Sequence, residues 1–247
     1  MKVAVCFSGQ PRFFREASPY WLEATKTMDV DFFIHAWYHP SMVSEENNPV
    51  SQDGKRKGWI VEPDTDQAMI NIYNPKSYMF EKQKEFSSKY DSLAPNEKYW
   101  GTPLPLLSSM YSIQQVGRLL QEYKVENNVE YDRVIFSRPD FVLISYLEPE
   151  LDPKCDKFST AYIEGDYWNV SAINDVFLAS NYDNMIYWSN HWDRWEKDLN
   201  NGTIFCPHRL RYKHIENSGK ALQHILIPAE GLGRKWFLYR KEGIVDY

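Results

Sequence analysis

"KVAVCFSGQPR", Lys2 to Arg12, opens with a short apolar run rich in β-branched valine, Lys2 to Phe7, and stops abruptly in a polar, turn-forming loop. Such a run bounded by Ser, Gly and Pro reads as a buried strand feeding a tight turn. Working outward, "VDFFIHAW" (Val30 to Trp37) is a second strand, and Phe13 to Met28 between them forms a helix that Pro19 is expected to interrupt. The chain therefore opens as a β-α-β unit. A polar, Pro- and Gly-punctuated stretch from Tyr38 to about Gly58 reads as a surface loop, and Lys76 to Glu81 as a third strand after the turn at Asn74-Pro75.

Leu106 to Tyr123 is the clearest helix, because Leu106, Met110, Ile113, Val116, Leu119, Leu120 and Tyr123 recur at spacings of three and four. "YDRVIFSRPDFVL" (Tyr131 to Leu143) then gives an apolar strand that "SRPD" breaks and a second apolar run resumes. Ile173 to Ser180 reads as a strand, Asn181 to Leu199 and Arg209 to His224 as helices, and Arg234 to Arg240 as a late strand. No internal repeat or linker separates two cores. Strands alternating with helices predict an α/β fold, a single domain over residues 1–247 with a mostly parallel central sheet flanked by helices.

Composition removes several function classes. With 28 Lys+Arg against 34 Asp+Glu, a net charge of −6, and no basic run beyond "KRK" at Lys55 to Lys57, the chain is a poor partner for nucleic acid or an anionic membrane. No stretch approaches the roughly 20 apolar residues of a membrane span. Cys6, Cys155 and Cys206 are widely separated with no zinc-like spacing, so neither a disulfide framework nor a structural metal is expected; Cys6 should be buried and inert. The opening lacks the apolar core and cleavage site of a signal peptide, and a cytoplasmic location is the expectation. Aromatic residues make up 16% of the chain, a surplus that suits either ring surfaces for a ligand or packing.

Ligands of open α/β sheets bind outside the carboxyl ends of the strands. The loop after the first strand is placed for that task. Gly9 permits close backbone approach, Ser8 and Gln10 offer hydrogen bonds, and Arg12 can pair with a phosphate, so a nucleoside diphosphate suits it; a plain strand-to-helix turn with a solvated arginine is the alternative. GxxxxGK[ST] and GxGxxG are both absent, which removes the P-loop and dinucleotide-binding readings.

The second candidate loop is Ser137 to Asp140. A strand-end carboxylate such as Asp140 can hold a hard divalent ion against a diphosphate, and Arg138 can supply positive charge directly. A Pro-containing turn with a surface Arg138–Asp140 ion pair is the other reading. Asp175 at the start of its strand is a candidate general base toward a hydroxyl, or a turn cap, with Asp166 in "EGDYWN" behind it. His35, His39 and His214 show no HExxH pattern, and His208 is an outside candidate for a metal ligand.

Taken in order, "KVAVCFSGQPR", "VDFFIHAW", "YNPKSYMFE", "LLSSMYSIQQVGRLL", "YDRVIFSRPDFVL" and "NDVFLASNYDNMIYWS" resemble a family of GT-A-type nucleotide-diphospho-sugar transferases of phages, large viruses and bacteria. The resemblance implies transfer of a sugar from a UDP- or GDP-linked donor to a glycan or other hydroxyl acceptor. In such a family Mn2+ or Mg2+ is held by an Asp-x-Asp loop; here Arg138 stands in place of the first Asp, and Asp140 matches the last. By the same resemblance Ser8, Gly9, Gln10, Arg12, Arg138 and Asp140 line the donor site, Tyr111 and Gln114 face the base or ribose, and Asp175 lies near the acceptor. The alternative is a non-catalytic carbohydrate-binding protein of the same fold.

Overall fold

The computed structural model describes residues 1–43, 62–86, 89, 103–143, 147, 151–161, 173, 176–201, 203, 205–225, 236–240 and 243–245. Seven strands form the main sheet: β1 (Lys2–Gly9), β2 (Asp29–Trp37), β3 (Ser77–Glu81), β4 (Arg133–Ser137), β6 (Phe158–Ala161), β7 (Phe177–Ser180) and β8 (Leu222–Ile225). Their order is β3-β2-β1-β4-β7-β6-β8. β3, β2, β1 and β4 run parallel, β7 enters antiparallel to both β4 and β6, and β8 is parallel to β6. A second sheet joins β5 (Phe141–Leu143) to β9 (Trp236–Arg240) and β10 (Gly243–Val245), each pair antiparallel. The mostly parallel sheet expected from the sequence is thus present, with β7 as the reversed strand.

Helices cover both faces, and side-chain alternation along β1 sorts its residues between them. Val3, Val5 and Phe7 pack with Phe32 and Ile34 beneath α1 (Phe14–Thr25) and α2 (Thr65–Tyr73), against Trp21, Met69 and Tyr73. Ala4 and Cys6 face the other way, with Phe33, Val134, Phe136 and Leu178, under α3 (Pro103–Asn127) and α4 (Tyr182–Ser189). Burial on both faces is why β1 reads as an unbroken apolar run. It is also why the Cys6 thiol is fully buried, with its pKa driven up.

Local chemistry explains where the elements differ from expectation. α1 runs through Pro19 without a break. Proline removes the amide that would bond the Arg15 carbonyl, and the Ser18 hydroxyl donates to that oxygen instead, at 2.9 Å. The segment expected as one helix from Asn181 is three: α4, a 3-10 turn at Asn190–Asp193, and α5 (Trp195–Asn200). The helix expected to reach His224 is α6 (Pro207–Asn217); it stops before Gly219, whose φ of 72° is a left-handed terminator, and the chain continues into β8. Most of the Tyr38-to-Gly58 loop lies outside the described residues. α3 lies close to α4 at Gly117, where an added Cβ would sit 2.6 Å from the Ser189 Cβ. At one rim of the sheet, β3 exposes Tyr78 and Met79. Among the described residues no helix is long and apolar enough to cross a membrane.

Candidate functional site

Strand order reverses direction of growth at β1, which has β2 on one side and β4 on the other, and this is where a crevice opens beyond the carboxyl ends of an α/β sheet. Phe7 of β1 is level with Ser137 of β4. The Ser8–Arg12 loop and the Arg138–Asp140 turn therefore leave neighbouring strands at the same height. A small pocket lined by Ser8, Ser137, Ile113, Phe177 and Trp188 lies between them.

The first loop is held firmly. Gly9 has φ of 106°, a conformation open to glycine and strained for any other residue. Its amide donates to the Ser112 Oγ at 2.7 Å, so it is committed to α3. Ser112 in turn meets His35 Nδ1 at 2.7 Å, and the other ring nitrogen of His35 meets Glu81 Oε1 at 2.9 Å. Lys84 closes the series on Glu81 Oε2 at 2.8 Å and also donates to the Tyr111 hydroxyl. Burial would raise the Glu81 pKa, but hydrogen bonds and charge from His35 and Lys84 bring it down to about 2. Burial lowers His35, against the pull of Glu81. Neutral His35 then donates from Nε2 to a charged carboxylate and accepts at Nδ1.

Other residues singled out from the sequence are engaged as follows. Arg12 donates through Nε to Gln10 Oε1 at 2.6 Å, so the two side chains fold over the loop together. Tyr111 stacks on Trp37 with ring centroids 5.5 Å apart and meets Trp192 edge-on at 5.4 Å; Phe86 completes this group. Here the aromatic surplus is packing. Gln114 is buried, and its amide donates to Asp193 Oδ2 at 2.6 Å, joining α3 to the 3-10 turn. His208 Nδ1 sits 2.8 Å from the Ile173 carbonyl. Asp175 and Asp166 lie outside the described residues. The residue after Asp175 is informative: the Val176 carbonyl accepts from Ser137 Oγ at 2.8 Å and from the Arg138 amide at 3.2 Å.

Arg138 and Asp140 form a closed fork, Nε to Oδ1 at 2.9 Å and Nη2 to Oδ2 at 2.6 Å. This is not the surface pair of the simpler expectation, because the Asp140 side chain is 1% exposed while Arg138 is 27% exposed. A two-pronged guanidinium–carboxylate bond fixes the arginine in orientation. Both Asp140 oxygens are already bound, and a cation occupies the place of the motif's first carboxylate. Mn2+ and Mg2+ require several oxygen ligands, so this donor set does not fit them. Among the described residues, the group of His, Cys, Asp or Glu able to surround a metal lies elsewhere, at His191, Asp198 and His214. Sequence reading missed it because its three members stand on three separate short helices.

No protein-family profile matches the chain, and no curated protein matches it. Among solved structures, it is similar to glycosyltransferases. LgtC, a galactosyltransferase solved in complex with donor and acceptor sugar analogues, matches with a TM-score of 0.43 and 11% identity, over 90% of this chain and 73% of its own. GlyE, a glycosyltransferase of Streptococcus pneumoniae TIGR4, matches with a TM-score of 0.41 and 9% identity, over 91% of this chain and 46% of its own.

Proposed function

We propose that the chain, as one domain, is a glycosyltransferase that moves a sugar from a UDP- or GDP-linked donor to the hydroxyl of a glycan or similar acceptor. The observation that carries this reading is the shared level of Phe7 and Ser137, which sets the Gly9 loop beside the Arg138 turn at the reversal of strand order. Two polar turns side by side suit a pyrophosphate, one carrying the Ser8 hydroxyl and the Gln10 and Arg12 side chains and the other a guanidinium. Ser8, Gln10 and Arg12 would contact the diphosphate around Gly9, and Tyr111 the nucleoside; Gln114 acts by holding Asp193 in place.

In the reaction the acceptor oxygen attacks the anomeric carbon, the bond to the phosphate oxygen breaks with its electron pair, and the acceptor proton passes to a carboxylate. Asp175 is the proposed base, its chain neighbour Val176 being hydrogen-bonded to the Arg138 turn. Negative charge collects on the departing diphosphate. Arg138, oriented by Asp140, is the group to receive it, since a fixed guanidinium needs no reorganisation as the charge develops. No step passes through Mn2+ or Mg2+.

The test is donor turnover with Arg138→Ala. A loss of about 100- to 1000-fold in kcat, with little change in donor affinity, is expected. Unchanged turnover would remove Arg138 from the reaction. The closed Arg138–Asp140 fork also favours a second reading, a carbohydrate-binding protein without catalysis; calorimetry showing sugar bound and no nucleotide bound would select it.

A further inference from the structure

We propose that His191, Asp198 and His214 form a buried structural site for a zinc-class divalent ion, separate from the loops after β1 and β4. One ligand atom from each side chain lies within 4.8 Å of the others, and the three residues are 2%, 3% and 0% exposed. His191 comes from the 3-10 turn, Asp198 from α5 and His214 from α6, so an ion at their centre would tie together three short elements that no strand connects.

The polar atoms facing this centre lack hydrogen-bond partners. Both ring nitrogens of His191, Asp198 Oδ2 and His214 Nδ1 are buried with none. Leaving such groups unpaired costs about 1–3 kcal/mol each, so several in one place call for something that satisfies them together. His191 Nε2 and His214 Nδ1 stand 3.6 and 3.7 Å from Asp198 Oδ2. These separations are long for hydrogen bonds. They are near the roughly 3.3–3.6 Å edge of a tetrahedron with metal–ligand bonds of about 2.0–2.2 Å. The two imidazoles stack, 4.5 Å between centroids and 20° between planes, so sharing one ion requires the rings to tilt out of that stack.

Behind two of the ligands, His214 and Asp198, the supporting groups are those a metal site needs. His214 Nε2 meets the Tyr187 carbonyl at 3.0 Å; a carbonyl only accepts, so Nε2 carries the proton and Nδ1 presents its lone pair to the centre. Asp198 Oδ1 accepts from Asn217 Nδ2 at 2.8 Å, which orients the carboxylate and turns Oδ2 inward. Arg211, on the same helix as His214, directs its Nη2 to Ser109 of α3 at 2.6 Å. Its positive charge makes the Asp198 carboxylate essential, since imidazoles alone beside a guanidinium would not draw a cation.

Two imidazoles and one carboxylate favour zinc and its late-transition neighbours over Mg2+ or Ca2+, which prefer oxygen. With three protein ligands, the fourth position of a tetrahedral ion would fall to a water. Through Gln114–Asp193 and Arg211–Ser109 this clamp braces α3, the helix that also carries Ser112.

The test is metal analysis of the intact chain, followed by removal of metal and titration with Zn2+ and Co2+. About one zinc per chain, a higher thermal midpoint on adding Zn2+, and the visible absorption of tetrahedral Co2+ are expected. Asp198→Asn and His214→Gln should abolish the Co2+ spectrum, and Asn217→Ala should weaken zinc affinity about 10- to 100-fold. If the wild-type chain takes up neither ion beyond trace amounts, or both ligand variants bind as well as the wild type, the proposal is overturned. The wild-type titration decides even where a variant fails to fold, and Arg138→Ala, which removes the proposed donor contact, should leave metal binding unchanged.

Discussion

Two buried polar groups flank the same helix, and they are finished in opposite ways. At the carboxyl edge of the sheet, Gly9, Ser112, His35, Glu81 and Lys84 pass hydrogen bonds from one to the next. On the helical side, His191, Asp198 and His214 face one another across distances that hydrogen bonds do not span. The first group is complete from protein atoms alone. The second has polar atoms in want of an outside partner. Burial by itself therefore does not distinguish scaffold from site; the completeness of the hydrogen bonding does.

The comparison can be broken most forcefully at Ser112. Ser112→Ala strands the Gly9 amide and one nitrogen of His35 together, so about 2–4 kcal/mol of stability should disappear, read from the denaturant midpoint. A shift under about 0.5 kcal/mol would show that water repairs the gap and that the edge group is not the rigid scaffold described.

Acid should sharpen the contrast next. His35 and His191 both titrate below their unfolded values, so the unfolded chain takes up protons first, and stability should fall as pH drops below about 6.5. Glu81, held at about 2, adds a further loss between its unfolded value near 4.5 and pH 2, as the pairing with His35 and Lys84 is protonated away. Thermal midpoints across this range test the sign; a metal-loaded chain should resist the first part of the fall, because bound His191 cannot protonate until the ion leaves.

The smallest effect is expected in zinc-free protein at His191→Phe. Replacing a ring with two unsatisfied nitrogens by an apolar ring should change stability by no more than about 1 kcal/mol, whereas the same change in the metal-loaded chain should abolish the gain from zinc. A large cost in both forms would mean that His191 has a protein partner after all.

What could be read from residues alone followed what burial does to composition. β1 and β2 are covered on both faces and appear as unbroken apolar runs; α3 shows its spacing of three and four in Ile113, Val116, Leu119 and Leu120, which pack on the sheet, while its buried Ser112, Gln114 and Gln115 are covered by other elements and leave no apolar signal. α2 and β6 were not anticipated, because Thr65–Tyr73 and Phe158–Ala161 are short and carry polar residues at buried positions, such as Thr65 and Thr160. The stop of α6 is legible in Ser218-Gly219, since Gly219 takes the left-handed φ that ends a helix. Of the proposed donor site, the two turns were legible as polar breaks after apolar strands. That Gly9 spends its amide on Ser112, or that Asp140 is sealed behind Arg138, depends on neighbours which only folding supplies.

The rim strand β3 has a separate consequence. Tyr78 and Met79 stand exposed on a strand that ends the sheet order among the described residues, a surface on which another chain's extended segment could stack. Lys76 and Lys82 bracket it, both exposed. Their like charges repel a second copy approaching in register, so neutralising Lys82 should raise light scattering with the fold intact, whereas neutralising Lys76 should also cost stability, since its ammonium pairs with the buried Asp31 at 3.6 Å.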